Sequence, residues 1–329
     1  MPSLARRAGA LALTALVVYG VAPALGEVLG AWPEVVDLKP WWLAGMLIAE
    51  AASCWCLWEL QALSIGTRDT VAVATSQLAG GALGRVIPGG AATAAATQYN
   101  MLNAADVPRG AVATGLAAAT VLQIAGLCVL PALALPAIVF GLRVPETLLE
   151  TAVLGLGLFV AMLGLGLGVA RDERALRWIG RVAVGVSGRL PGERVLSPEF
   201  PDRLVVQRDE VAERLGDRLL YACGAAVGRW LFDLLALVTA ITAVGAEPRF
   251  SLVLLAYVAA QLLAQIPITP GGIGVVEAGL TATLALAGVH GGDAAVATLA
   301  YRLVSYWLML PAGLAAWVVH RRRLAVSAT

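Results

Sequence analysis

The chain has 329 residues, of which 59% are hydrophobic and 14% are charged, and its formal net charge is +1. A soluble domain of this size carries about 25% charged residues, so the composition excludes an ordinary soluble fold. The net charge of +1 also argues against a nucleic-acid partner, which requires a basic face. We predict an all-α, polytopic helical membrane protein that forms a single domain over residues 1–329.

Several apolar segments are long enough to cross a membrane, which takes about 20 residues in a helix. The first also resembles a signal peptide, and we favour an uncleaved helix because the rest of the chain is just as apolar. We predict six full spans at 8–28, 40–62, 110–140, 149–170, 219–243 and 293–319.

Two further apolar regions, 71–105 and 252–288, are each interrupted by Pro-Gly-Gly, at 88–90 and at 270–272. Proline ends a helix and glycine permits a tight turn, so each region divides into two halves that are short for a span. We predict two re-entrant hairpins. The alternative, in which every half crosses the membrane, stays open because both topologies give the same parity.

Basic residues set the expected orientation. Arg6 and Arg7, the run at 320–323 and the polar loop at about 171–218 belong on the cytoplasmic side of a cell membrane, because arginines in short flanks mark that side. Both termini are therefore expected in the cytoplasm. The loop is expected to form amphipathic helices on the cytoplasmic surface.

The two interrupted regions resemble each other. A valine and a glycine follow the two Pro-Gly-Gly runs at matching distances, namely Val107 with Gly110 and Val289 with Gly292. Full-length apolar segments flank both regions. We predict an inverted repeat, with units at about 40–140 and 219–319, as many transporters have. Chance similarity in alanine- and glycine-rich sequence is the alternative.

Charged residues inside membrane segments are costly and indicate function. Arg229 and Asp233 are one helical turn apart, which predicts a local structural ion pair. Glu50 and Asp233 lie at similar distances before the two prolines, which predicts similar depths in repeat-related helices. Glu59 is close to a helix end and has access to water. The membrane segments contain Glu50, Glu59, Arg85, Arg229, Asp233, Glu277 and Arg302.

A helix that starts at a Pro-Gly-Gly break exposes its first backbone amides, which attract anions. We predict that these amides and nearby arginines bind a phosphate, while Glu277 and Glu50 bind an ammonium group. An alternative is that the charges neutralise one another and only fix helix packing. The predicted phosphate-binding residues are Arg85, Gly89, Gly90, Gly271, Gly272 and Arg302.

The run "IPITPGGIGVVEAGL", the later "YRLVSYWLMLPAG" and the earlier "GRVIPGG" carry a family resemblance. The chain resembles the lysylphosphatidylglycerol synthase/flippase transmembrane-region family over about 10–320. The resemblance implies a flippase for aminoacylated phosphatidylglycerol or a related lipid. The chain ends on "HRRRLAVSAT", so we expect no aminoacyltransferase domain.

Enzyme chemistry is not indicated by the sequence, which contains none of the hydrolase, zinc-protease or P-loop motifs. Its two histidines, His290 and His320, fall in predicted flanking loops. We predict a lipid flippase with no metal and no cofactor. Two alternatives stay open: a secondary transporter of a small solute, and a non-catalytic partner of a lipid- or glycan-synthesis enzyme.

Overall fold

The computed structural model describes residues 38–87, 90–130, 172–187, 199–247, 249–264 and 274–327, together with Gly157 and Gly164. These residues are almost entirely helical and include no strand, which confirms the all-α prediction. The predicted span at 8–28, and the one at 149–170 apart from its two glycines, lie outside the described residues.

The described residues form eleven α-helices. In chain order they are α1 (Pro40–Ile65), α2 (Thr70–Val86), α3 (Gly90–Ala104), α4 (Arg109–Val129), α5 (Glu173–Ser187), α6 (Phe200–Leu215), α7 (Leu219–Ala243), α8 (Phe250–Ala264), α9 (Val275–Leu286), α10 (Gly291–Arg302) and α11 (Met309–Ser327).

Four continuous helical stretches in the described part of the chain are long and apolar enough to cross a membrane. They correspond to four of the six predicted spans, and two of them include adjoining turns. A 3₁₀ turn joins α6 to α7, and a π-helical turn joins α10 to α11. The stretches are Pro40–Ile65, Arg109–Val129, Arg208–Ala243 and Gly291–Val326. The protein is therefore a multi-pass membrane protein.

The two interrupted regions form pairs of short helices, α2 with α3 and α8 with α9, which pack against each other. The first pair is very close, because a Cβ atom added at Gly84 would lie 2.6 Å from the Gly90 carbonyl oxygen. Pro88, Gly89 and residues 265–273 lie outside the described residues. Re-entry of these helix pairs into the membrane stays a prediction.

The turns after α3 and α9 have the same geometry at matching positions. The Val107 amide donates to the Leu102 carbonyl at 3.2 Å, and the Val289 amide donates to the Leu284 carbonyl at 3.1 Å. The residue before each valine has a positive φ, 60° at Asp106 and 96° at Gly288. The similarity read from the sequence thus extends to the backbone.

Helices α1 and α7 pack in antiparallel directions. A Cβ at Gly45 would meet Thr239 at 3.3 Å, and a Cβ at Gly228 would meet Cys56 at 3.2 Å. The contact on α7 therefore moves backwards as the chain advances along α1. Equivalent helices of an inverted repeat must run in opposite directions, so this packing is what the predicted repeat requires.

The described parts of the polar loop form helices α5 and α6, which pack against each other. Helix α6 also contacts α1, near its C-terminal end, and α4, near its N-terminal end. Arg214 donates to the Thr114 hydroxyl at 3.3 Å and lies against Gly66. The loop is therefore docked onto the membrane helices.

Candidate functional site

A polar cavity of about 160 Å³ is enclosed by helices α1, α2, α7, α8, α9 and α10 and the π turn. Charged residues of both predicted repeats meet there. Five of the residues selected from the sequence line it, together with the polar side chains of Tyr257, Gln261, Tyr301, Ser305 and Tyr306. The five charged residues are Glu50, Arg85, Arg229, Asp233 and Arg302.

Asp233, on α7, accepts several hydrogen bonds. Its Oδ2 accepts from the Tyr257 hydroxyl, from Gln261 Nε2 at 3.0 Å and from the Tyr301 hydroxyl at 2.9 Å. Such donors compensate the cost of removing a carboxylate from water. The sequence analysis missed all three because it searched apolar helices for charged residues only. Polar residues in the apolar context of α8 were the available signal.

Arg229 and Asp233 do not form the predicted local ion pair. The Asp233 carboxylate is directed to donors on α8 and α10, whereas the Arg229 guanidinium lies 3.9 Å from the centre of the Trp230 ring. Arg229 Nε and Nη1 are buried and have no hydrogen-bond partner among the described residues. A guanidinium with buried, unused donors is suited to bind an anion such as a phosphate.

Glu50, on α1, is the second carboxylate of the cavity and is only 7% exposed. Its Oε2 is buried, and no donor in the described part of the chain reaches it. Leaving a buried polar group unsatisfied costs about 1–3 kcal/mol, and more for a charged one. Glu50 and Arg229 thus contribute an acceptor and two donors that the described fold leaves unused.

Glu277 and Arg302 pair with each other. Arg302 Nε donates to Glu277 Oε1 at 2.6 Å, and the backbone amide of Gly274 donates to Glu277 Oε2 at 2.7 Å. The glutamate therefore caps the start of α9 and ties it to α10. Both of its oxygens are engaged, which does not support the predicted ammonium-binding role. The backbone amide of Gly274, the residue before α9, is thus already used by this carboxylate.

The glycines of the predicted phosphate site are only partly described. Gly89, Gly271 and Gly272 lie outside the described residues. The Gly90 amide donates to the Ile87 carbonyl at 3.2 Å, so it is already used within the chain. Backbone binding of a phosphate at Gly90 is therefore not supported.

Arg85 ends α2 and reaches the π turn, Leu303–Trp307. Its Nη2 lies 3.4 Å from the Ser305 carbonyl oxygen, and its own carbonyl accepts from the Tyr306 hydroxyl at 3.1 Å. The guanidinium groups of Arg85 and Arg302 both lie near the Tyr306 ring, at 5.6 Å and 4.4 Å from its centre. Single π turns inside α-helices are frequent at functional sites.

An apolar groove of about 410 Å³ lies between helices α2, α3 and α11. Small side chains on α2 and larger ones on α11, including the partly exposed Leu314 and Trp317, form its walls. Val86 lies in the groove and the adjacent Arg85 in the polar cavity. The end of α2 thus borders an apolar and a polar compartment.

His320 lies within α11 rather than in the predicted flanking loop, and it is only 3% exposed. Its Nδ1 is 2.9 Å from the Thr75 hydroxyl, and its Nε2 is 3.0 Å from the Met101 carbonyl oxygen. The basic run that follows it suggested a solvated segment. The helix instead continues and places this side chain between α2 and α3.

Comparison with known proteins agrees with this architecture. The sequence pattern of a family described as "Lysylphosphatidylglycerol synthase TM region" matches residues 7–313. The chain belongs to this family. This match confirms the family resemblance read from the Pro-Gly-Gly motifs.

The chain is also similar to a protein described as "UPF0104 membrane protein", from Methanothermobacter thermautotrophicus (strain ATCC 29096 / DSM 1053 / JCM 10044 / NBRC 100330 / Delta H). It is 30% identical over 87 residues, a match that covers 26% of this chain and 26% of the relative. Its description supports a membrane location. Family membership adds a lipid-related role in the membrane.

Proposed function

We propose that this protein moves the polar head group of a phospholipid between the two leaflets through the cavity bordered by α1 and α7. The observation that carries the proposal is the pair of buried, unused groups in that cavity, the Arg229 guanidinium and the Glu50 carboxyl. Ionisable groups at membrane depth indicate substrate pathways. A head group that combines a phosphate with an amine supplies a partner to both.

Arg229 and Arg85 are the proposed phosphate ligands, and Glu50 is the proposed partner of the amine. This assignment revises the one based on sequence, because Arg302 and Glu277 are engaged with each other. That ion pair instead positions α9 and α10 around the cavity.

A lipid is favoured over a soluble solute by the apolar groove beside Arg85. A lipid acyl chain requires an apolar path next to the polar path of its head group, and α2 borders one of each. The exposed side chains of Leu314 and Trp317 offer an acyl chain an apolar surface beside Arg85.

The family name supports the lipid class. Lysylphosphatidylglycerol contains one phosphate and a lysine with amino groups, so aminoacylated phosphatidylglycerol is the first candidate substrate and a lipid-linked head group the second. The proposed role is transport without covalent chemistry, with a lipid-synthesis enzyme as a possible supplier of the lipid. We place the protein in the cell membrane with both termini in the cytoplasm, following the arginine distribution.

The antiparallel packing of α1 against α7 and the matching turns after α3 and α9 support an inverted repeat and transport by alternating access. In this mechanism one repeat unit rocks against the other around the cavity. Re-entrant hairpins at the two Pro-Gly-Gly breaks remain part of the proposal.

The test is leaflet-resolved transport in proteoliposomes that contain fluorescent phosphatidylglycerol, its lysyl ester or a lipid-linked sugar. Wild type would be compared with Arg229→Gln, which removes the unused donors, and with Arg218→Gln, which removes an exposed charge just before α7. We expect Arg229→Gln to slow movement of the preferred lipid at least about tenfold, equivalent to about 1.4 kcal/mol in the barrier. Arg218→Gln should transport like wild type.

Movement of one lipid class that depends on Arg229 would support the flippase and identify its substrate. Folded wild-type protein that moves none of the three lipids would overturn the proposal. That result would favour one of the two alternative functions, a small-solute transporter or a partner of a synthesis enzyme. Equal rates for Arg229→Gln and wild type would show that this cavity is not the transport path.

A further inference from the structure

The two carboxyl groups of the cavity have very different surroundings. Asp233 accepts three hydrogen bonds, whereas Glu50 Oε2 is buried with no donor in the described part of the chain. A buried carboxylate oxygen without a donor is costly in the ionised form, and the neighbouring Asp233 makes a negative charge on Glu50 still less favourable.

The charged and titratable groups that face Glu50 come from every helix packed around it. Arg302 also lines the cavity, but its charge is matched by Glu277. The groups that act on Glu50 are Asp233 and Arg229 on α7, Arg85 on α2, Tyr301 on α10 and Cys54 on its own helix.

We propose that Glu50 holds a proton in the substrate-free protein and releases it when a head group that contains an amine binds. The step is balanced, because one O–H bond of the carboxyl group is broken, the proton passes to water and one ammonium group takes its place. The inference rests on the proposed function and deepens it, since it makes transport of amine-containing lipids an exchange for protons.

The proposal predicts a difference between lipid classes. An anionic head group such as phosphatidylglycerol offers a phosphate to the Arg229 donors but brings no positive charge to Glu50, which keeps its proton. A zwitterionic head group such as phosphatidylethanolamine also places an ammonium group beside Glu50, which favours the ionised carboxylate. One proton is therefore released for each zwitterionic lipid bound and none for each anionic lipid.

The experiment uses the full chain in detergent with short-chain phosphatidylethanolamine and phosphatidylglycerol. Infrared difference spectra between wild type and Glu50→Gln report the carbonyl stretch of a protonated carboxyl group. Calorimetry in two buffers of different ionisation enthalpy counts the protons released on binding. Glu59→Gln is the matched control, because it makes the same change on the same helix outside the cavity.

We expect the protonated-carboxyl band in substrate-free wild type and in Glu59→Gln, and its loss in Glu50→Gln. Phosphatidylethanolamine should remove the band and release one proton, while phosphatidylglycerol should do neither. Glu50→Gln should release no proton and bind phosphatidylethanolamine about tenfold more weakly, equivalent to about 1.4 kcal/mol.

A missing band in substrate-free wild type, or a band that persists with phosphatidylethanolamine bound, would overturn the inference. Lipid transport in the proteoliposome assay without the band would mean that the inference fails while the proposed function stands. The band together with no lipid transport or binding would mean that the proposed function and the exchange fail while the protonation of Glu50 stands.

Discussion

Two pairs, each of a glutamate and an arginine, lie at the centre of this molecule and differ in whether their polar atoms have hydrogen-bond partners. Glu277 and Arg302 are joined at 2.6 Å, and the Gly274 amide engages the second glutamate oxygen. Glu50 Oε2 and the Arg229 donors are buried without partners in the described chain. Burial of a charged residue therefore does not by itself indicate a ligand site. A buried polar atom without a hydrogen-bond partner does, because a bound substrate can supply the missing hydrogen bond.

The packing of α1 on α7 agrees with the similar depth predicted for Glu50 and Asp233. Gly45 lies against Thr239, and Gly228 lies against Cys56. Counting along both antiparallel helices from either contact brings Glu50 level with Leu234, next to Asp233. The two halves thus bring both acidic residues to one cavity.

The largest expected effect comes from breaking the compensated pair. Arg302→Met leaves the largely buried Glu277 side chain without its partner, which should lower the free energy of unfolding by about 3 kcal/mol. Thermal unfolding in detergent measures the change. The double variant Glu277→Gln/Arg302→Met should recover part of the loss, because no unpaired charge remains. A single variant no less stable than the double variant would contradict the assignment of a structural ion pair.

The uncompensated pair should behave in the opposite way. Glu50→Gln removes a costly group and keeps its shape, so the unfolding temperature should stay constant or rise. Lipid transport should nevertheless fall about tenfold or more, equivalent to about 1.4 kcal/mol. Glu59→Gln on the same helix should leave transport unchanged. Loss of stability in Glu50→Gln with normal transport would reverse the distinction between the pairs.

A smaller effect is expected at Asp233, which is compensated by neutral donors. Tyr301→Phe removes one of the three hydrogen bonds to its carboxylate and should cost about 1 kcal/mol of unfolding free energy. Tyr221→Phe changes an exposed tyrosine on the same helix as Asp233 and serves as the control. Equal unfolding temperatures for the two variants would show that the third donor is dispensable.

The smallest effect concerns an ion pair between Asp69, which precedes α2, and Arg323, near the end of α11. Partial burial acts to raise the pKa of Asp69, but the hydrogen bonds from Arg323 at 2.7 Å and from the Ala72 amide at 2.9 Å outweigh it and lower the pKa. A lowered pKa adds stability above the unfolded value of about 3.9, and this stability is lost as the pH falls through the folded value.

Arg323→Gln should therefore lower the unfolding temperature at neutral pH and have less effect as the pH falls below the unfolded value of about 3.9, where Asp69 becomes protonated. The loss at neutral pH should stay below about 1 kcal/mol, because both side chains are partly exposed. Arg322→Gln, an exposed neighbour, is the control. A loss that does not depend on pH would exclude the ion pair as its cause.

Much of the fold followed from sequence because the membrane restricts the choice of structure. Backbone polar groups must be satisfied internally in hydrocarbon, so apolar segments become helices and Pro-Gly-Gly interrupts them. These two rules predicted α1, α4, α7 and the stretch formed by α10 and α11. His320 was misplaced because a basic run suggested a loop, whereas helix packing buries its side chain against Thr75 and Met101.

The sequence by itself determined which residues carry charge at membrane depth and where the helices break, because both properties are local. Only the tertiary structure decided which charges compensate each other. Arg229 and Asp233 are adjacent on one helix face yet have different partners, while Glu277 and Arg302, on separate helices, form a pair. A change of a few tenths of an ångström in the distance between two groups decides whether they form a hydrogen bond. Between helices these distances are set by packing rather than by spacing along the chain.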